Sequence, residues 1–87
     1  MTLSIYSIMD QDTKKFTMPI FAENDAVAKR QFLISCKSLP EELVVAMDLY
    51  RVGDVNMDIM DFSNYEMTKV MSGVEAFEHF NSKKESN

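Results

Sequence analysis

Apolar and polar positions repeat along this chain with two periods, and the switches between them mark out its elements. Residues 3–9 are rich in strand formers and run into the turn-prone Asp10, Gln11, Asp12 and Thr13. Residues 15–21 place Phe16, Met18 and Ile20 on one face against Thr17, Pro19 and Phe21 on the other, so the two runs predict an antiparallel hairpin. Pro19 has no N–H to give a ladder, which makes the second strand an edge or bulges it there. The period then lengthens. Asn24 is an N-cap whose side-chain oxygen can accept from the first turn. Asp25 in that turn and Lys37 in the last both suit the helix dipole. At about 100° per residue, Val27, Ala28, Gln31, Phe32, Ile34, Ser35 and Cys36 share one broad arc, with Lys29, Arg30, Leu33 and Lys37 on the other side. The pattern predicts a helix laid across a small sheet, its basic strip facing away.

Pro40 disfavours helical geometry at Leu39 and stops that helix near Lys37. Ser38 and Glu41 have capping-box spacing for a short second turn. The apolar run 43–47 reads equally as helix or strand; residues 45–52 are taken mainly as strand. Gly53 and Asp54 look like a two-residue hairpin loop. Val55, Met57 and Ile59 alternate with Asn56, Asp58 and Met60 as a strand with one wet face. A turn at Phe62, Ser63 and Asn64 leads to a fifth strand over 65–71. Ser72 and Glu75 form another capping box, opening a short helix with Val74, Phe77 and Phe80 along one side. The layout is β-β-α-β-β-β-α: one α+β domain over residues 1–80, a largely antiparallel sheet of about five strands with the main helix on one face, and a frayed polar tail at 81–87.

Size and charge change this picture in two ways. A chain of 87 residues buries only roughly 60–65% of its unfolded surface, so a homodimer that hides more apolar area is expected. The formal charge of −5 argues against gripping nucleic acid non-specifically through phosphates, which calls for a positive footprint. A local patch remains compatible with it. The eight methionines suit core filling, and also adaptable interaction surfaces. No apolar run approaches the ~18–20 residues of a membrane span, the start lacks the pattern of a secretory signal, and a single cysteine fits a reducing compartment.

Candidate chemistry is sparse. His79 is the only histidine and sits among charged residues of the terminal helix, where a solvated surface role is the plain explanation. Cys36 falls on the buried side of the long helix, as an inert packed thiol would. Asp10 and Asp12 share a turn, while Asp54, Asp58 and Asp61 are spread along the later hairpin, and none fits a calcium loop. With two glycines there is no phosphate-cradling loop. Expectations are therefore no enzyme, metal, cofactor or small-molecule substrate. The one cationic candidate is Lys29, Arg30 and Lys37, joined by Arg51 and by Lys14 and Lys15. Tyr6, Phe16 and Tyr50 supply stacking surfaces if they project outward, in the manner of modules that hold single strands. The alternative is a solvated helix face with those aromatics in the core. Leu33, inside the basic strip, is a contact point for a second subunit or an ordinary exposed leucine.

Ile5, Tyr6, Ser7, Ile8 and Asp10 come first; Phe16, Pro19, Ile20, Phe21, Ala22, Asn24, Asp25, Ala28, Arg30 and Phe32 follow; Asp48, Leu49, Tyr50, Arg51, Val52 and Gly53 come last. In this order and spacing the chain resembles the small nonstructural protein of gokushovirus-type microviruses, phages with circular single-stranded DNA. That family usually continues after the glycine with Phe-Asp and a second glycine turn, where this chain has Asp54, Val55, Asn56 and Met57. The resemblance implies a non-capsid protein working in the bacterial host cytoplasm. It also implies a DNA-binding role in the switch from duplex replication to single-strand synthesis and packaging, with no catalytic residues to carry over. The expectation is a non-enzymatic accessory protein that contacts single-stranded DNA, or a phage or host replication protein, through Lys29, Arg30, Lys37 and Arg51. The alternative is a protein-interaction module that never touches nucleic acid.

Overall fold

The computed structural model describes every residue except Met18 and residues 86–87, with backbone alone at Tyr65 and at residues 83–85. The elements in chain order are β1 (Thr2–Asp10), β2 (Lys15–Phe16), β3 (Ile20–Ala22), α1 (Asp25–Lys37), α2 (Glu41–Val44), β4 (Met47–Asn56), β5 (Asp61–Met71) and α3 (Gly73–Glu85). The five strands form one antiparallel sheet in the order β2-β1-β4-β5, with β3 also paired to β1. The fold is α+β, as the periodicities indicate. All three helices contribute to one core, in which Ala28, Phe32 and Cys36 of α1, Val44 of α2 and Ala76 of α3 meet Tyr6, Ile8 and Leu49 of the sheet.

The edge run 15–21 is interrupted, as Pro19 requires, into β2 and β3. Between them Thr17 keeps the chain on β1: its N–H donates to Ile8 O at 2.8 Å, and its carbonyl accepts from Ser7 Oγ at 2.9 Å. The interruption also shifts the parity. Phe16 and Phe21, expected on opposite faces, line the same trough, whereas Ile20 packs toward the core. A slip in a strand turns every later side chain to the other face.

Gly53 and Asp54 are not a loop. Both lie inside β4, paired with Asn64 and Ser63 of β5, so Phe62 to Asn64 is strand rather than turn. The reversal comes at residues 57–60, where Met60 takes φ 54° and Asn56 Oδ1 accepts from the Asp58 N–H at 3.0 Å. Met57 and Ile59 are exposed at this tip instead of alternating along a strand. Asn and Asp supply the turn chemistry here. Gly53 serves another need: a Cβ there would stand 2.3 Å from the Ser63 carbonyl oxygen, so the glycine marks a close backbone approach between β4 and β5.

Asn24 caps α1 through its Oδ1, which accepts from Val27 N at 3.0 Å. The inward stripe is Ala28, Phe32 and Cys36, at the i, i+4, i+8 spacing of one helix face. Ile34 lies about 200° from Phe32 at helical geometry and is 66% exposed, which corrects its place in the buried arc. Leu33 is half-buried and packs on the core, not in the solvent-facing strip. Pro40, not Ser38, caps α2, with its carbonyl accepting from Leu43 and Val44.

The capping box at the start of α3 is formed: Ser72 N–H donates to Glu75 Oε1 at 3.2 Å and Glu75 N–H to Ser72 Oγ at 3.1 Å. Ala76, rather than Val74, is the fully buried residue of its first turns. The helical backbone continues through residues 81–85; residues 86–87 of the expected tail lie outside the described residues. Asp48 ties the start of α3 to the sheet, its Oδ1 accepting from the Gly73 N–H at 3.1 Å.

Candidate nucleic-acid interface

Because the inward stripe of α1 is centred on Phe32, the opposite side of the helix carries Arg30, Ile34 and Lys37. Arg30 and Lys37 stand two turns apart, about 10 Å along the axis. Helix α3 packs beside this side of α1 and brings His79 and Phe80, both half-buried, against it. The two helices enclose a groove of about 280 Å³ lined by Arg30, Leu33, Ile34, Lys37, His79 and Phe80. Its floor is apolar and its rim cationic. The His79 and Phe80 rings meet edge-on at 5.7 Å, a favourable aromatic geometry. Arg30 and Lys37 are exposed, and neither has an ion pair among the described residues. Such a groove suits a ligand with a phosphate for the cations and a flat apolar part for Phe80.

The four cations expected to act together are divided. Arg30 and Lys37 share the groove. Lys29 is exposed beside it without lining it. Arg51 stands on β4 across from Tyr6 and pairs with Asp54 Oδ1 at 3.2 Å. It lines a separate hollow at the N-terminal end of α1 with Glu23, Asn24 and Asp25, an acidic neighbourhood that repels a phosphate. Lys14 and Lys15 lie at the β1–β2 turn, where Lys14 Nζ donates to Gln11 Oε1 at 3.3 Å.

The aromatic candidates are divided as well. Tyr6 is fully buried and its hydroxyl donates to Asp25 Oδ1 at 2.6 Å. Burial first, and this hydrogen bond second, push its pKa up to about 12, so it anchors α1 and offers no stacking surface. Phe16 is partly exposed and meets Tyr50 edge-on at 6.3 Å. These rings belong to the sheet face that α1 and α3 do not cover, since residues alternate in direction along β1 and Tyr6 and Ile8 point into the helical core. Phe16 and Tyr50 therefore lie on the other side of the sheet from the groove that holds Arg30 and Lys37.

His79 and Phe80 are the residues that sequence reasoning missed at this place. Nothing local marks His79, whose significance comes only from the docking of α3 on α1. The aspartates serve turns and ends: Asp10 Oδ1 accepts from Asp12 N–H at 2.9 Å, and Asp58 Oδ2 accepts from the N-terminal ammonium at 2.8 Å. Among the described residues no three His, Cys, Asp or Glu side chains gather as a metal ion needs, and no helix is long and apolar enough to cross a membrane.

Compared with known proteins, residues 3–76 match the family model described as Phage ORF5 protein. No curated protein and no solved structure matches the chain.

Proposed function

Since this chain belongs to the Phage ORF5 protein family, we propose that it is a non-enzymatic accessory protein that holds single-stranded DNA in the groove between α1 and α3. It would act at genome replication or single-strand synthesis, in the cytoplasm of the bacterial host. The observation that carries this reading is the pairing of Arg30 and Lys37 on one apolar-floored groove. In a chain with fourteen acidic and nine basic residues, two cations that line one groove without ion partners among the described residues support this reading. Phosphates meet Arg30 and Lys37, and a base lies against Phe80 and His79. Stacking of that kind tolerates any base. Lys29 follows the strand as it leaves the groove, and Arg51 takes no part.

Fluorescence anisotropy with a labelled oligothymidine at low salt tests this. Two or three phosphate contacts give a log–log salt slope of about −1.4 to −2.1, at roughly 0.7 per contact on a single strand. Arg30→Ala and Lys37→Ala should each weaken binding and flatten the slope by about 0.7, while Arg51→Ala should leave both unchanged. No binding at tens of micromolar protein, or binding indifferent to salt and to both substitutions, overturns the proposal. It would leave the protein-interaction module, the reading that the net charge of −5 favours.

A further inference from the structure

We propose that the helix-free face of the sheet is where a second copy of this chain docks, sheet against sheet about a two-fold axis. An antiparallel sheet with helices on one face ordinarily turns polar side chains outward on the other. Here the middle of the outward face is mainly apolar, with Ser7 and Asn64 as its polar members. Ile5, Phe16, Phe21, Val52, Phe62 and Met67 line a trough of about 360 Å³, and among the described residues no Asp, Glu, Lys or Arg lines it. Phe16, Phe21 and Phe62 are left 45%, 45% and 53% exposed. A contiguous apolar patch of this kind on a small domain marks an interaction site.

Area, charge and composition assign that site to a second copy. At roughly 150–250 Å² per aromatic side chain, three half-exposed rings present roughly 300 Å² of apolar surface. A standard interface takes about 800 Å² from each partner, a little over half of it apolar. Ile5, Val52 and Met67 supply the remainder. Two copies of a chain with net charge −5 repel wherever acidic surfaces meet. A two-fold axis brings the same patch of each copy together, so an uncharged patch is the one that closes without opposing like charges. The centre holds three Phe and one Met and, among the described residues, no charge, as interface cores do. Lys69 stands at the border, 3.5 Å from Asp48 Oδ2 and 6.0 Å over the Tyr50 ring. Sheets packed about 10 Å apart let the rings of one copy enter the trough of the other. Both α1–α3 grooves stay open on the outer sides of such a dimer, so this inference and the proposed function stand or fall separately.

Light scattering on the purified full chain tests it. Interfaces of this size bind at micromolar affinity or tighter, so at tens of micromolar the mass should be twice 10.0 kDa. Phe21→Glu on β3 and Phe62→Glu on β5 each place a charge in the closed centre and should weaken self-association by roughly a hundredfold or more. Ile34→Glu, equally apolar but on α1, should leave the dimer intact. Far-UV circular dichroism checks that each variant is folded, and if one is not, the other decides. A monomeric wild type overturns the inference, as does a dimer that survives the glutamate substitutions or dissolves with Ile34→Glu. A monomer whose oligonucleotide binding is abolished by Phe21→Glu would assign the face to bases instead.

Discussion

Removing the Asp48 carboxylate tests how the second half of the chain is held together. Its Oδ1 accepts from the Gly73 N–H at 3.1 Å, its Oδ2 accepts from Gln11 Nε2 at 2.6 Å, and Lys69 Nζ lies 3.5 Å from Oδ2. Asp48→Ala orphans the Gly73 N–H in a buried place, at a cost of about 1–3 kcal/mol. Gln11 is only half-buried and can turn toward water, so its lost bond adds no more than about 1 kcal/mol. The Lys69 side chain is 48% exposed, and a pair of that kind contributes about 0–1 kcal/mol. A carboxylate at the start of α3 adds about 0.3–1 kcal/mol through the helix dipole. These contributions share one side chain and do not sum freely; together they come to about 2–4 kcal/mol. Asp48→Asn keeps an oxygen for Gly73 and loses the charge, so it should cost about 1 kcal/mol. Urea unfolding at fixed protein concentration measures both. The midpoint of the alanine variant should fall with an unchanged slope, and its melting temperature should drop by about 8 °C or more. An alanine variant within about 0.5 kcal/mol of wild type, or an asparagine variant as damaged as alanine, would refute the role given to this carboxylate.

Gly53→Ala should destabilise by about 1–3 kcal/mol, because its Cβ meets the Ser63 carbonyl oxygen at 2.3 Å; a thermal melt unchanged from wild type contradicts this. Tyr6 has its pKa raised from 10.0 to about 12 by burial and by the bond to Asp25. The neutral hydroxyl is thus favoured in the folded state. Its stabilisation is complete below pH 10 and is lost as the pH rises through about 12. Unfolding free energies measured across that window should fall more steeply for wild type than for Tyr6→Phe, and parallel curves would contradict the assignment. Cys36 is 2% exposed, and burial pushes its thiol up to about 11. A thiol reagent at neutral pH should therefore modify it only as fast as the fold opens, and rapidly in urea. Reaction of the native protein at a free thiol's rate would place Cys36 elsewhere.

Much of the fold is legible because its signals are local. Asn24 names the helix start, Pro19 breaks the edge strand, and Ser72 with Glu75 opens α3, each through a bond made within a few residues. The turn of the later hairpin is not legible, because Gly53 signals either a turn or a close approach of two strands. Only the carbonyl of Ser63, ten residues on, decides which. Leu33 and Ile34 trade the places a broad apolar arc gives them, because Ala28, Phe32 and Cys36 alone define the centre of the buried stripe. Arg30 and Lys37 could be found from helical period. Their partners His79 and Phe80 could not, since α3 meets α1 only in the folded chain. The apolar trough stayed hidden because the break at Pro19 reverses which way Phe21 faces.

Chemical-shift mapping by NMR tests most directly whether single-stranded DNA enters the α1–α3 groove. Titrating an oligothymidine into isotope-labelled protein at low salt should move the signals of Arg30, Leu33, Lys37, His79 and Phe80. Those of Phe21, Val52 and Phe62 should stay where they are. Shifts gathered on the sheet trough, or no shifts at saturating oligonucleotide, would contradict binding in the groove.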